Sequence, residues 1–128
     1  MNDNARCWIE ALESGEFVQT RGMLRGNDDS YCVMGVACEV YRRETGQGAW
    51  TSGRSGATGF TIRAWDYNKA VPFDVADWYG LATKNGSYGE GESLMRDNDI
   101  GLSFAELAAI IRSEPEGLFR HWEPEAGE

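Results

Sequence analysis

Residues Tyr31–Tyr41 read Tyr-Cys-Val-Met-Gly-Val-Ala-Cys-Glu-Val-Tyr, the most apolar stretch of the chain. Val33, Val36 and Val40 are β-branched and would suit a buried strand, but strands are usually shorter than this run. Length favours a helix. So does the exit into Arg42-Arg43-Glu44, where two guanidinium groups would face the negative end of the helix dipole. Gly35 costs about 1 kcal/mol in a helix interior, so its presence predicts a close neighbour that a side chain would exclude. The stretch reads as the central core helix.

Outward from it, the N-terminal flank carries a second helix. Ala5, Trp8, Ile9 and Leu12 fall at i, i+3, i+4 and i+7, one apolar stripe, with Asn2, Asp3 or Asn4 to cap its start and Ser14-Gly15 to end it. Glu16–Thr20 and Met23–Arg25, joined through Arg21-Gly22, are expected to form a short β-hairpin. Gly26–Ser30 reads as a turn whose last residues cap the core helix.

On the C-terminal flank, residues 45–59 hold five glycines and read as one long irregular segment. Phe60, Ile62 and Ala64 alternate with Thr61, Arg63 and Trp65, as in a half-buried strand. Pro72 and Gly80 bracket a short helix carrying Phe73, Ala76 and Tyr79. Residues 82–92 form a second glycine-rich loop. Ser103-Phe104-Ala105-Glu106 is a capping box opening a helix with Phe104, Leu107, Ala108 and Ile111 on one face, and Gly117–Trp122 adds a last turn. The class expected is α+β, three or four helices packed on a small antiparallel sheet. Residues 1–128 are expected to form a single domain with an acidic, flexible C-terminus at about 123–128.

The chain has 128 residues, and 41% of them are hydrophobic, enough for one core and too many for global disorder. No apolar run approaches the roughly 20 residues of a membrane span, and Met1-Asn2-Asp3-Asn4 lacks the basic and apolar regions of a signal peptide. A cytoplasmic protein that contacts no membrane is expected. A net charge of −9 makes DNA or RNA a poor partner, because neutralising phosphates needs a basic field. It favours solubility and leaves room for a basic protein partner. Ten of the twelve bases are arginine, whose planar fork grips carboxylate or phosphate in two places, although genomic composition alone produces such a bias. Cys7, Cys32 and Cys38 lack metal-ligand or disulfide spacing, so buried reduced thiols, no metal site and no cofactor are expected.

Several strings together carry a resemblance. They are Trp8, Ala11–Gly15, Gln19-Thr20, Leu24-Arg25, Tyr31–Cys38, Val75–Leu81, Asn98-Asp99 and Ser103–Ala108. In this order they resemble a family of small tailed-phage accessory proteins with a W…ALxSGxYxQ…YCxLGVLC…ND.G.SFxEIA pattern. The chain departs from that pattern at Met34, at Phe17 in place of tyrosine, and in the long 45–59 segment. The resemblance implies no reaction. It implies a setting: a phage gene product in the bacterial cytoplasm, acting against host defence.

Candidate chemistry is sparse. Cys32 near a helix start would be a nucleophile only with His121, the single histidine, as its base, and an ordinary buried thiol is the simpler reading. Asp97 and Asp99 flank Asn98 and would suit Mg²⁺ or acid–base work, but the same residues before Gly101 also make a turn. The glycines and hydroxyls of Trp50–Gly59 with Arg54 suit a phosphate, yet lack the ending of a Walker loop. Arg21, Arg25, Arg63, Tyr31 and Trp65 supply further forks and stacking faces, as nucleotide binding needs.

Three readings follow. The first is a non-catalytic binder that sequesters a small phosphate-bearing molecule, such as a nucleotide immune signal, at Arg21, Arg25, Tyr31, Trp50, Arg54, Arg63 and Trp65. The second is an acidic inhibitor of a basic host protein. The third is an enzyme degrading a nucleotide signal. A chain of this size forms few deep clefts alone, so a homo-oligomer with a shared pocket is expected by analogy with small phage binding proteins.

Overall fold

The stretch around Val36 is a helix, α2 (Val33–Thr45), in a computed structural model that describes residues 1–26, 28–52, 58–62, 65–67 and 70–120. Every residue from Val33 to Tyr41 is buried. A Cβ placed on Gly35 would lie 1.8 Å from the Leu24 carbonyl oxygen, so the glycine admits a crossing backbone segment. Arg42 and Arg43 occupy the last turn, and Gly46 closes it in the left-handed conformation.

Four other helices among the described residues pack around α2 or its neighbours. In α1 (Asp3–Glu13) the buried residues are Ala5, Trp8, Ile9 and Leu12, and Asn2 caps the helix by accepting from Ala5 N at 2.8 Å. α1 contacts both α2 and α5 (Phe104–Arg112), whose capping box at Ser103 and Glu106 forms as spaced. The indole N–H of Trp8 donates to Val33 O at 3.0 Å, and Tyr79 of α3 (Phe73–Tyr79) donates its hydroxyl to Ala37 O at 2.6 Å. Spending those polar ends on α2 carbonyls lets both large rings be fully buried. α4 (Leu94–Ile100) packs on α2 and α5.

Strands β1 (Ala49–Ser52), β2 (Thr58–Ile62) and β3 (Trp65–Tyr67) form an antiparallel sheet in that order, with Trp50 opposite Phe60 and Ile62 opposite Trp65. Phe60 is fully buried and meets the rings of Trp50 at 4.9 Å and Tyr41 at 6.4 Å, which seats the sheet on α2. Strands β4 (Ser87–Tyr88) and β5 (Glu92–Ser93) make a second, two-stranded sheet beside α4. The α+β class expected from sequence is the class observed. No described helix is long and apolar enough to cross a membrane.

The backbone departs from the sequence reading in several places. Glu16–Thr20 and Met23–Arg25 do not pair as a hairpin. Gln19 and Arg25 each bridge to Tyr31 instead, one parallel and one antiparallel, because the buried run into α2 is a better template than either short arm. Cys32 rather than the 26–30 turn caps α2, its sulfur accepting from Gly35 N at 3.3 Å. The 45–59 segment contains β1, ordered through the contacts of Trp50. The strand expected over 60–65 ends at Ile62, so Trp65 belongs to the neighbouring strand. Phe73 is 59% exposed, and Val75 takes the buried place beside Ala76 and Tyr79. Asp97, Asn98 and Asp99 lie on α4, a helix the sequence reading missed. A turn near 117–119 buries Leu118, while the acidic tail at about 123–128 lies outside the described residues.

Candidate functional site

Three of the seven ligand-binding candidates come together where the chain enters α2. Arg25 is held by backbone bridges to both Tyr31 and Thr58, and Trp50 projects from β1 beside them. The Arg25 guanidinium carbon lies 5.1 Å from the Tyr31 ring centre and 5.3 Å from that of Trp50. Those rings meet edge to face at 5.8 Å. A guanidinium over two aromatic faces is stabilised by their quadrupoles, by about 0.5–1 kcal/mol at exposed sites and about 2 when desolvated. Arg25 Nη2 donates to Asp29 Oδ1 at 2.6 Å. Among the described residues this is the one hydrogen bond of a side chain that carries five N–H donors.

Beneath this cluster lies a buried carboxylate. Glu39 is 4% exposed and accepts from Trp50 Nε1 at 2.8 Å, from Arg42 through Nε and Nη2, and from Arg43 Nε at 2.9 Å. Burial alone would raise its carboxyl pKa, but the hydrogen bonds from Arg42, Trp50 and Arg43 overcome this and bring it down to about 2. Arg43 also donates to Glu16 Oε2 at 2.6 Å and lies 5.2 Å over the Phe17 ring, which meets Tyr31 edge to face. Glu39 thus fixes the Trp50 indole against α2. Its folded-state pKa lies below the ordinary 4.5, so its contribution is present above pH 4.5 and is lost as the pH falls towards 2. Roughly 2 kcal/mol should disappear between pH 6 and pH 3. Urea unfolding at those two pH values should show a smaller difference for Glu39→Gln than for the unaltered protein; equal differences would mean that the ion pairs do not persist in solution.

The other candidates fall elsewhere. Arg21 is exposed on the loop whose Gly22 N–H donates to Asp99 Oδ1 at 2.8 Å, and it makes no ion pair with a described residue. Arg54 and Arg63 lie outside the described residues, although Arg54 falls in the connection between the paired residues Ser52 and Thr58. Trp65 is placed by its backbone alone, on β3.

The catalytic alternatives acquire structural roles. Cys32 is fully buried, and burial pushes its thiol up to about 11, away from the thiolate a nucleophile requires. His121 lies outside the described residues. Asp97 is buried and accepts the Tyr88 hydroxyl, while burial, with Asp97 as neighbour, raises that phenol to about 12. Asp99 holds the Gly22 amide. Between them Asn98, fully buried, accepts from Val33 N at 3.1 Å and Gln19 Nε2 at 2.8 Å and donates to Thr20 O at 2.8 Å. No group of three or more metal-ligating side chains occurs among the described residues.

Sequence reasoning missed Glu39, Phe17, Arg43 and Asp29 as members of the cluster. The spacing of Glu39 to Arg42 and Arg43, three and four residues along one helix, was the available signal. Two grooves lie elsewhere. One of about 250 Å³ is lined by Tyr88, Gly89 and Gly117, and a larger one of about 1140 Å³ by Met1, Glu114 and Arg120.

Comparison with curated proteins and with solved structures finds no match. Residues 1–115 match a family described as a domain of unknown function, DUF8296, so the match takes in α1 to α5 and the whole Arg25–Tyr31–Trp50–Glu39 cluster. The chain belongs to the DUF8296 family.

Proposed function

We propose that the protein binds a small phosphate-bearing molecule of nucleotide type at the Arg25–Tyr31–Trp50 cluster and holds it without altering it. The observation that carries this reading is the Arg25 fork, stacked on two rings and spending one of its five donors on a described residue. Such a fork offers two parallel N–H bonds to phosphate oxygens, and its guanidinium plane offers a stacking face to a base. The buried, protonated Cys32 and the structurally committed Asp97 and Asp99 weigh against catalysis. The resemblance to small phage accessory proteins supplies the biological reading: sequestration of a nucleotide immune signal in the host cytoplasm, by a homo-oligomer.

A second reading has its own support. Six arginines, Arg6, Arg25, Arg42, Arg43, Arg112 and Arg120, are paired with carboxylates, whereas Glu10, Glu44 and Glu116 pair with no described cation. The free charge on the described surface is therefore mainly negative, as an inhibitor of a basic host protein requires.

One experiment separates these readings. The protein is incubated with a bacterial nucleotide extract, washed, heat-denatured, and its supernatant chromatographed. Release of an intact nucleotide supports sequestration, and Arg25→Ala should weaken retention about 10- to 150-fold, the worth of a charge-assisted phosphate contact. A chemically altered product would indicate an enzyme. No uptake would favour the protein-directed inhibitor.

A further inference from the structure

We infer that Asp29 is a built-in competitor for the Arg25 fork, a carboxylate occupying the position that a ligand phosphate oxygen takes on binding. The inference rests on the reading of Arg25 as the anion-binding group and adds its regulation. Asp29 reaches Arg25 Nη2 at 2.6 Å from a backbone with φ 61°, a left-handed conformation that aspartate tolerates better than most residues. The turn delivering it is tightly built. Gly26 N donates to Ser30 O at 2.8 Å, Asp29 N to Gly26 O at 3.3 Å, and the Ser30 hydroxyl to Asp28. A Cβ on Gly26 would come within 2.7 Å of Ser30 Oγ and 2.9 Å of Asp28 Oδ1, so the glycine lets these side chains pack closely over it.

The two sides of the ion pair differ in a way that suits exchange. The Arg25 side chain is 21% exposed and fixed against Tyr31 and Trp50, whereas the Asp29 side chain is 80% exposed and, among the described residues, pairs with no other cation. The cation is preorganised; the anion is free to swing into water. An exposed pair of this kind contributes little, so a dianionic phosphate displaces the carboxylate at small cost and gains a second N–H bond from the fork. Asp29 would thereby keep Arg25 oriented in the free protein, and would exclude weaker anions such as carboxylates, which gain nothing by replacing one of their own kind.

Calorimetric titration with ADP and with pyrophosphate, on the unaltered protein and on Asp29→Asn, Asp29→Gly and Arg25→Ala, tests this. Removing the resident carboxylate should tighten ADP about three- to tenfold, from the lost pair and the relieved repulsion. Asp29→Gly relaxes the left-handed backbone as well, so a gain shared by both variants tracks the carboxylate and not the strain. Loss of ADP binding in Arg25→Ala, with affinity unchanged or weakened in both Asp29 variants, would overturn the competitor and leave the anion site standing. ADP binding that is undiminished in Arg25→Ala, or absent from both the unaltered protein and Asp29→Asn, would overturn the anion site itself.

Discussion

Gly35→Ala should cost about 3 kcal/mol or more and lower the melting temperature by about 10 °C, although alanine is the better helix former. The propensity gain is at most about 1 kcal/mol. Against it stands a methyl group 1.8 Å from the Leu24 carbonyl oxygen and 2.8 Å from its carbon. A flexible side chain would move aside, but this neighbour is backbone. It accepts from Cys32 N at 3.1 Å, and its residue is fully buried. Leu24 would have to retreat by more than an ångström, breaking that bond and opening the core. The adjoining Arg25 would retreat with it, so the binding cluster should loosen as well. Thermal unfolding followed by circular dichroism checks this, and an unchanged or raised melting temperature would mean that the 20–25 segment does not cross α2 as described.

Asn98→Ala should destabilise by a similar amount, about 3 kcal/mol. Its amide satisfies three groups from two segments that are distant in sequence: the first amide of α2, the Gln19 side chain and the Thr20 carbonyl. Alanine leaves Val33 N–H buried without an acceptor, the costly half of a broken hydrogen bond. Asn98→Asp restores the acceptor but sets an oxygen against Thr20 O, so it should recover little at neutral pH. Chemical denaturation of both variants measures the difference; a loss under 1 kcal/mol for alanine would show that water replaces the amide.

These two residues show what was legible in the sequence and what was not. The spacing of Ala5, Trp8, Ile9 and Leu12, the Ser103–Glu106 box and the near-continuous apolarity of 31–41 are local signals, and each element they indicate is present. Gly35 announced a close approach without naming the neighbour, because the Leu24 backbone comes from a segment whose own pattern resembled a hairpin. Its pairing was decided by tertiary contact with Tyr31, which outweighed local turn chemistry. Asn98 and its aspartates looked like a turn or a cation site since their partners, at Gln19, Thr20, Gly22 and Tyr88, lie far away along the chain. The site was legible as a list of arginines and aromatics. Only the bridge between Arg25 and Tyr31 selects among them, and the acids that accompany them, Asp29 and Glu39, entered no sequence pattern built on phosphate recognition.

The most direct test is a nitrogen-15 NMR titration with ADP, observing the tryptophan indole N–H, arginine Nε–H and backbone amide signals. The Trp50 indole is held by Glu39 at 2.8 Å and its ring lies beneath the Arg25 guanidinium, so it reports on the cluster, whereas the Trp8 indole is tied to Val33 O in the core. Saturable shifts of the Trp50 indole and of Arg25 Nε, with the Trp8 indole unmoved, are the expected result. Saturable shifts confined to residues around Tyr88 and Gly89, or no shift at either group at millimolar ADP, would contradict ligand binding at this cluster.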